Sequence, residues 1–357
     1  MKQITLKLPK NTIHDCRIVI GDHVMEKINN LFDLKKYSRV FVVTDENIGS
    51  LFLKTLLSAL PKGTAFIALP TGEKEKHLNS VEKIITAMHN ADCDRHSLVV
   101  NLGGGVISDI GGFTASIFMR GVDVLNIPTT LLSMTDAAIG GKNGVNFSGV
   151  KNLIGTIRQP VGVLTDTASL ATLPKREFLS GFAEIIKHGL IKDESFFRLV
   201  VSKKPDQFTL DQLVKIIARS CQIKAAIVSS DEKEQSERKL LNFGHTVGHA
   251  IEALSLETKK PMLHGEAVAM GMIVESKISH LLGFLTEKEC NVIQELIRPL
   301  VNATIRVNTR LILNKIQSDK KKRGDQIMWT LLDRIGHGVI NITVEDKIVK
   351  KALQVSI

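Results

Sequence analysis

Two histidines four residues apart are the residues whose type and spacing most favour metal chemistry. His245 and His249 lie in the segment NFGHTVGH, and a helix would place both imidazoles on one face. His264, at the start of a His-Gly-Glu sequence, offers a third imidazole. The zinc-protease motif HExxH is absent, because Thr246 stands in the position of its glutamate. Since a catalytic zinc-type ion takes three protein ligands and keeps an open position, these histidines indicate a metal site, with incidental helix histidines as the alternative.

Cations beside small or apolar residues are the second chemical feature. Glu184 and Lys187, three residues apart in a helical pattern, put a carboxylate and an amine on one face. The other cations of this kind are Arg120, Lys142, Lys151, Lys224 and Arg238. Each one alone is typical of a solvated surface. Because several lie in glycine-rich or apolar surroundings, the set indicates a site for a phosphate and a carboxylate.

A glycine-rich segment at residues 103–109 (GGGVISD) follows a predicted strand directly. Such a turn lets backbone N–H groups approach a pyrophosphate at the start of the next helix. The segment departs from the GxGxxG fingerprint, and a tight turn without a ligand is the alternative. Two further loops, residues 71–76 (TGEKEK) and 128–130 (PTT), also follow predicted strands. Because ligands of open parallel sheets bind outside the carboxyl ends of the strands, the three loops together favour dinucleotide binding.

Alternating strand and helix patterns must position these loops. Strands are predicted at residues 1–10, 39–44, 64–69, 98–102 and 124–128, with a helix at 77–90. After Pro174 long helical patterns such as 210–228 and 262–282 take over, with a short extended segment near 328–332. The fold class predicted is therefore α/β: a Rossmann-like domain with a parallel sheet at residues 1–168, then a mainly α-helical domain at 169–357.

Composition limits the remaining possibilities. The chain has 357 residues, of which 43% are hydrophobic, enough for two domains with sizeable cores. No signal peptide pattern and no apolar run of ~20 residues is found, so a cytoplasmic protein with no membrane partner is expected. Four widely spaced cysteines are expected to be buried thiols. The net charge of +10 favours anionic partners, but an aromatic content of 4% and the lack of a binding motif argue against nucleic acid.

The ordered series of these motifs resembles the 3-dehydroquinate synthase family over nearly the whole chain. The matching segments are GGGVISDIGGF, MRG, IPTTLL, GGK, KNLIG, TLPKREFLSGFAEIIKHG, RKLLNFGHTVGHAIE and LHGEAVAMGM. The resemblance implies a lyase that uses NAD and one divalent metal ion, zinc or cobalt. It implies metal ligands at Glu184, His245 and His264, with His249 as a polar catalytic neighbour.

The resemblance also implies the remaining site residues. NAD contacts are expected at Asp45, Thr71, Gly72, Glu73, Lys76, Gly104, Gly105, Val106, Asp109, Thr129, Thr130, Lys142, Lys151 and Thr172. Catalytic roles are expected for Asp136, Lys142, Lys187, Asn242 and His249, and substrate contacts for Arg120, Asn152, Lys224, Arg238 and one of Lys320 or Lys321, with Lys321 preferred. Arg120 is expected to reach the neighbouring subunit's site, so the resemblance implies a homodimer.

The implied substrate is an anionic sugar phosphate, 3-deoxy-arabino-heptulosonate 7-phosphate. The implied reaction is a transient oxidation by NAD, elimination of phosphate, re-reduction, ring opening and intramolecular aldol closure. The usual DSSxGGK of the family reads DAAIGGK here, so Ala137 and Ala138 replace two serines. Ile157 replaces the usual aromatic residue, and residues 320–323 are more basic than usual. These departures concern substrate contacts and leave the reaction class unchanged.

Two other enzyme classes fit part of the pattern. A metal-dependent polyol dehydrogenase of the glycerol dehydrogenase type shares the two-domain plan and the GGG turn, but it usually has an aspartate in the position of Glu184 and lacks this set of cations. It would also release NADH. Related sugar phosphate cyclases are closer, because small changes near Ala137 and Ala138 can alter the substrate that is accepted.

Overall fold

The computed structural model describes residues 1–7, 15–256, 258, 260–301, 308–323 and 326–356, and only the backbone within 318–323. The chain forms two compact units. The first contains Met1–Pro174 and Thr209–Glu232, and the second contains Lys175–Phe208 and Lys233–Ile357. The prediction of a domain boundary between residues 168 and 169 treated each domain as one continuous segment of the chain. In the structure, the later segment Thr209–Glu232 belongs to the first unit.

Regular elements follow in chain order. The helices are α1 (Ile28–Leu31), α2 (Glu46–Ile48), α3 (Lys54–Ala59), α4 (Leu78–Asn90), α5 (Gly105–Ile117), α6 (Lys175–Lys192), α7 (Glu194–Val200), α8 (Leu210–Ser230), α9 (His245–Ser255), α10 (His264–Leu281), α11 (Glu287–Ile297), α12 (Thr309–Arg323) and α13 (Asp346–Ser356). The strands are β1 (Lys2–Leu6), β2 (Cys16–Gly21), β3 (Val40–Asp45), β4 (Ala65–Leu69), β5 (Leu98–Gly103), β6 (Asp123–Pro128), β7 (Lys142–Phe147), β8 (Val150–Ile157), β9 (Gly162–Asp166), β10 (Met328–Arg334) and β11 (His337–Thr343).

The first unit is built on a seven-stranded sheet in the order β1-β2-β9-β6-β5-β3-β4. All neighbouring strands run parallel except β1 and β2. Val42 and Val100 pack in one apolar cluster, whereas Phe41 and Val99 from the same strands pack in another. Since successive side chains of a strand point to opposite faces, the sheet is covered on both sides. This confirms the α/β fold class and the parallel sheet.

The first unit also holds elements that the sequence did not reveal. Strands β7 and β8 pair as a separate antiparallel hairpin, and β2 and β9 extend the main sheet. Helix α8 packs against β1 and β2, so its apolar face completes the core of this unit. The predicted strands at 39–44, 64–69, 98–102 and 124–128 are confirmed as β3 to β6.

The second unit is mainly helical, as predicted. Helix α10 packs against α6, α9, α11 and α13, and all its residues from Gly265 to Ser276 are buried. Trp329, on β10, lies in the apolar core of this unit. The extended segment predicted near 328–332 is confirmed as β10, which pairs with β11. Within the described ranges, no helix has the length and apolar character needed to cross a membrane.

Candidate metal and nucleotide sites

Three side chains in the second unit converge on one point. Glu184 lies in the middle of α6, His245 is the first residue of α9, and His264 is the first residue of α10. Nε2 of His245 is 3.6 Å and Nε2 of His264 is 3.4 Å from Oε1 of Glu184. Tetrahedral zinc bonds of ~2.0–2.1 Å would separate the ligand atoms by roughly 3.3–3.4 Å. The three residues predicted as ligands are therefore brought together at separations that suit a divalent ion.

The Glu184 carboxylate is fully buried, and what surrounds it is mainly cationic or imidazole side chains. Among the described residues, neither of its oxygens receives a hydrogen bond of normal geometry, although the Lys187 ammonium lies beside Oε2. Burial would raise the pKa of Glu184, but Lys187 and the two imidazoles hold it well below its usual range. Burial and the nearby Lys187 lower the pKa of His245. An ionised carboxylate beside a neutral imidazole is a donor set suited to a metal ion.

Each of the two histidines has a second contact that orients its ring. Nδ1 of His245 lies 3.2 Å from the Phe243 carbonyl oxygen, and Nδ1 of His264 lies 3.5 Å from Oε2 of Glu252. Burial lowers the pKa of His264, but the Glu184 and Glu252 carboxylates outweigh it and raise the pKa to about 10. Carbonyl or carboxylate partners of this kind typically orient metal-binding histidines. No sequence motif pointed to Glu252, although it lies seven residues after His245 on the same helix.

His249 lies one helical turn after His245, as its spacing predicted. Its ring centroid is 5.1 Å from that of His245 and 5.9 Å from that of His264. Unlike the three converging residues it is exposed. It can therefore exchange protons with solvent beside the cluster.

Asn242 and Arg238 lie in a short 3-10 helix, Glu237–Asn242, just before α9. Arg238 is buried, and Nδ2 of Asn242 donates to Oε1 of Glu234 at 2.8 Å. Glu234 has a φ of 58°, a left-handed conformation that is uncommon for glutamate. No sequence motif singled it out. Lys320 and Lys321 belong to the part of α12 whose side chains lie outside the described residues.

In the first unit, the predicted nucleotide-binding loops share one edge of the sheet. Asp45 pairs in register with Leu69, and Gly103 pairs with Pro128, so four strands end side by side. At the end of β3, Oδ1 of Asp45 accepts from Thr71 Oγ1 at 3.1 Å and from the Ile48 N–H at 3.0 Å. This edge carries the loops with Thr71, Gly72 and Glu73, with Gly104, Gly105 and Val106, and with Thr129 and Thr130.

The glycine-rich loop is shaped by close contacts rather than by left-handed backbone. A Cβ on Gly104 would lie 3.2 Å from Thr130 Cγ2, and a Cβ on Gly105 would lie 3.3 Å from Ala137 Cβ. Gly104 precedes α5, whose first N–H groups lack acceptors within the helix. Thr129 is buried, and its hydroxyl has no hydrogen-bond partner among the described residues. Backbone donors and a buried hydroxyl at one sheet edge fit a pyrophosphate-containing nucleotide.

Two lysine–carboxylate pairs lie in the same unit. Lys76 Nζ donates to Oδ2 of Asp109 at 2.5 Å. Burial raises the pKa of Asp109 to about 6, even though Lys76 opposes that rise. Lys224, on α8, donates to the Asp136 carbonyl oxygen at 2.7 Å and to its carboxylate at 2.5 Å. The sequence assigned Lys224 and Asp136 to separate roles and did not reveal that they bind each other.

The remaining predicted residues of the first unit lie on turns and the hairpin. Lys142 opens β7, and Lys151 and Asn152 lie on β8. Asn152 has a φ of 52°, and its N–H donates to Asn146 Oδ1 at 2.9 Å. Arg120 ends the turn after α5 with a φ of 70°. Thr172 ends a 3-10 segment beyond β9, where its hydroxyl donates to the Ser169 carbonyl oxygen at 3.1 Å.

Solved structures identify the class of fold. The chain matches a crystal structure of 2-deoxy-scyllo-inosose synthase complexed with carbaglucose-6-phosphate, NAD⁺ and Co²⁺, with a TM-score of 0.88 at 23% identity over 100% of this chain and 99% of that one. It matches 2-epi-5-epi-valiolone synthase from Streptomyces hygroscopicus subsp. jinggangensis 5008, with NAD⁺ and Zn²⁺ bound, with a TM-score of 0.85 at 28% identity over 98% of each chain. The fold is that of these NAD- and metal-binding synthases.

Sequence relatives then identify the family. Models of the 3-dehydroquinate synthase N-terminal and C-terminal regions match residues 66–180 and 181–322. A protein named 3-dehydroquinate synthase from Thermodesulfovibrio yellowstonii (strain ATCC 51303 / DSM 11347 / YP87) is 39% identical over 343 residues, which cover 94% of this chain and 93% of that protein. The chain belongs to the 3-dehydroquinate synthase family, whose members of that name are carbon–oxygen lyases. The resemblance seen in the sequence motifs is thereby confirmed.

Proposed function

We propose that the protein converts 3-deoxy-arabino-heptulosonate 7-phosphate to 3-dehydroquinate and phosphate, with NAD and one divalent ion, zinc or cobalt. The observation that carries this proposal is the convergence of Glu184, His245 and His264 at metal-ligand separations in a member of this family. A divalent ion held by these residues would supply Lewis-acid chemistry. NAD held at the sheet edge of the first unit would supply a reversible hydride acceptor.

The chain's own residues bind and orient the substrate in this proposal. Lys142, Lys187 and Arg238 supply cations for the phosphate and carboxylate of the substrate. Because Lys187 and Arg238 are buried, their charges are poorly screened by water and act strongly on a bound anion. Lys224 fixes the Asp136 carboxylate through its two hydrogen bonds.

Residues of the second unit move protons and orient the reacting groups in this proposal. The exposed His249 imidazole can pass protons between the site and solvent. Asn242 orients the substrate while Glu234 holds its amide. Glu252 fixes the His264 ring so that Nε2 stays directed toward Glu184.

A phosphate-release assay with the heptulosonate phosphate tests the proposal. We expect one phosphate and one carbocyclic product per substrate, dependence on both NAD and the divalent ion, and no steady rise in absorbance at 340 nm. Continuous accumulation of NADH with phosphate still attached to the product would indicate the polyol dehydrogenase instead. Turnover of a different sugar phosphate, with none of the heptulosonate phosphate, would indicate a related cyclase.

We also infer a cytoplasmic homodimer in which Arg120 serves the neighbouring subunit's site. Support comes from the family motif MRG, residues 119–121, which contains Arg120. The test is to mix two variants expected to be strongly impaired, Arg120→Ala and Lys187→Ala, after reversible dissociation. A mixed dimer would regain one site with both residues, so activity should return. Activity that stays absent in verified mixed dimers would contradict the role of Arg120, and sedimentation as a monomer would contradict the dimer. Cell fractionation tests the location.

A further inference from the structure

Glu275 is a fully buried carboxylate in the middle of α10 that the reaction proposed above does not use. Its oxygens do not pair with a cation in the described part of the chain. Instead, Oε2 accepts the Gly244 N–H at 2.5 Å and Oε1 accepts the Val247 N–H at 3.0 Å. These two donors lie on either side of His245, the first residue of α9. The carboxylate of one helix therefore binds the backbone at the start of another.

The start of α9 needs such a partner because its own sequence supplies none. The first N–H groups of a helix have no acceptor within the helix, and a Ser, Thr, Asp or Asn side chain at the N-cap commonly binds them. The N-cap of α9 is Gly244, which has no side chain. Glu275 supplies two acceptor oxygens in its place.

Glycines let α10 come close enough for this contact. A Cβ on Gly271 would lie 1.9 Å from the Gly244 carbonyl oxygen, and a Cβ on Gly248 would lie 3.0 Å from the Ala267 carbonyl oxygen. Gly244 itself has a φ of 81°, which favours glycine. Gly244, Gly248 and Gly271 together allow the backbones of α9 and α10 to come into direct contact. Glu275, one turn beyond Gly271, then reaches the turn that carries His245.

We propose that Glu275 is a positioning residue for the metal site, holding the first turn of α9 so that His245 faces Glu184 and His264. The inference rests on the metal site of the proposed function. Glu275 acts through the backbone on both sides of His245 and touches no ligand side chain. Residues that orient ligands typically change metal affinity by ~10–100-fold when they are replaced.

The experiment measures Co²⁺ and Zn²⁺ affinity of the full-length apoprotein by competition with a chromophoric chelator, without NAD or substrate. Glu275→Gln keeps the shape but turns an amide NH₂ toward a backbone N–H. We expect a loss of affinity of about 10-fold or more and an altered visible spectrum of bound Co²⁺. The matched control is Val349→Ala on α13, which makes a cavity in the same apolar core and loosens the unit but changes neither Glu275 nor its two N–H donors. It should bind Co²⁺ within about twofold of the unmodified protein.

The outcomes separate this inference from the proposed function. If the unmodified protein binds no stoichiometric metal, the metal site itself is wrong. If it binds metal and Glu275→Gln binds equally well with the same Co²⁺ spectrum, only the positioning role is overturned. An equal loss of affinity in Val349→Ala would also overturn it, because loosening of the unit would then explain the effect.

A second measurement needs no variant and covers the case in which Glu275→Gln fails to fold. Hydrogen exchange of the unmodified apoprotein should find the Gly244 and Val247 amides protected like the interior of a helix. Fast exchange at both amides, as at an ordinary uncapped helix start, would contradict the capping role of Glu275.

Discussion

The charged side chains at the predicted sites of the two units are arranged differently. In the first unit, Lys76 pairs with Asp109 and Lys224 pairs with Asp136, and the first N–H groups of α5 have no acceptor within the helix. In the second unit, a single carboxylate, Glu184, lies among two imidazoles and one ammonium from three helices. The first arrangement suits a polyanion bound mainly by backbone, and the second suits a cation bound by side chains. Substitutions in the second unit should therefore have larger effects.

The largest effect is expected for His264→Ala, which removes one of three converging ligands. Because orienting residues alone change affinity by ~10–100-fold, loss of a ligand should lower metal affinity by more than about 100-fold and abolish turnover. NAD binding should be unchanged, since its predicted site lies in the other unit. Metal content by elemental analysis and NAD affinity by calorimetry check this. His280→Ala, at the far end of the same helix, is the control, and full metal content in His264→Ala would refute the ligand assignment.

Next in size is Lys187→Ala, which removes a buried cation from the proposed anion site. Loss of a buried charged contact costs ~2–5 kcal/mol, so kcat/KM should fall by about 30-fold or more with NAD affinity unchanged. Steady-state kinetics and calorimetry measure the two quantities. The control is Lys192→Ala, an exposed lysine of the same helix that pairs with Glu237. Equal losses of NAD affinity and of kcat/KM would mean that Lys187 contributes to the NAD site and not only to the anion site.

A smaller effect is expected for Lys76→Met in the first unit. The substitution leaves the Asp109 carboxyl without its ammonium partner at the predicted NAD edge. A lost charged hydrogen bond is worth ~1.5–3 kcal/mol, so NAD affinity should fall by about 10-fold or more while metal content stays stoichiometric. Lys74→Met, an exposed lysine of the same loop, should leave both unchanged. A loss of metal in Lys76→Met would contradict the separation of the two sites.

The last expected effect is a change in the pH dependence of stability. The pKa of Asp109 is raised by burial to about 6 from an ordinary value of 3.8, so the folded protein keeps a proton that the unfolded chain releases between these values. This contribution to stability is present below about pH 4 and is lost as pH rises through about 6, by no more than about 3 kcal/mol. Asp109→Asn should remove that part of the pH dependence. The free energy of unfolding of both proteins is measured by denaturant unfolding from pH 4 to 7, and hydrogen exchange in β5 and α5 gives a local readout. Identical pH profiles of the two proteins would contradict the raised pKa of Asp109.

Sequence patterns predicted the elements whose structure depends on residues close together in the chain. Continuous apolar runs such as residues 98–102 predicted buried strands, and the four-residue spacing of His245 and His249 predicted one helix face. Strand β8 was missed because it is largely exposed, with Asn152 and Gly155 interrupting its pattern. Glu252 and Glu275 look like ordinary helix residues, since their partners come from other parts of the fold. The Lys224–Asp136 pair likewise depends on the return of α8 to the first unit.

The return of α8 to the first unit also determines when that unit can finish folding during synthesis on the ribosome. Domains generally fold as they emerge, the N-terminal one first. Here residues up to Pro174 lack α8, whose apolar face covers β1 and β2, until Glu232 has been made. At ~5–20 residues per second, the emerging sheet waits roughly 3–12 s with that face uncovered. A nascent chain stalled near residue 180 should therefore remain sensitive to protease, whereas one stalled well past residue 232 should present a resistant first unit.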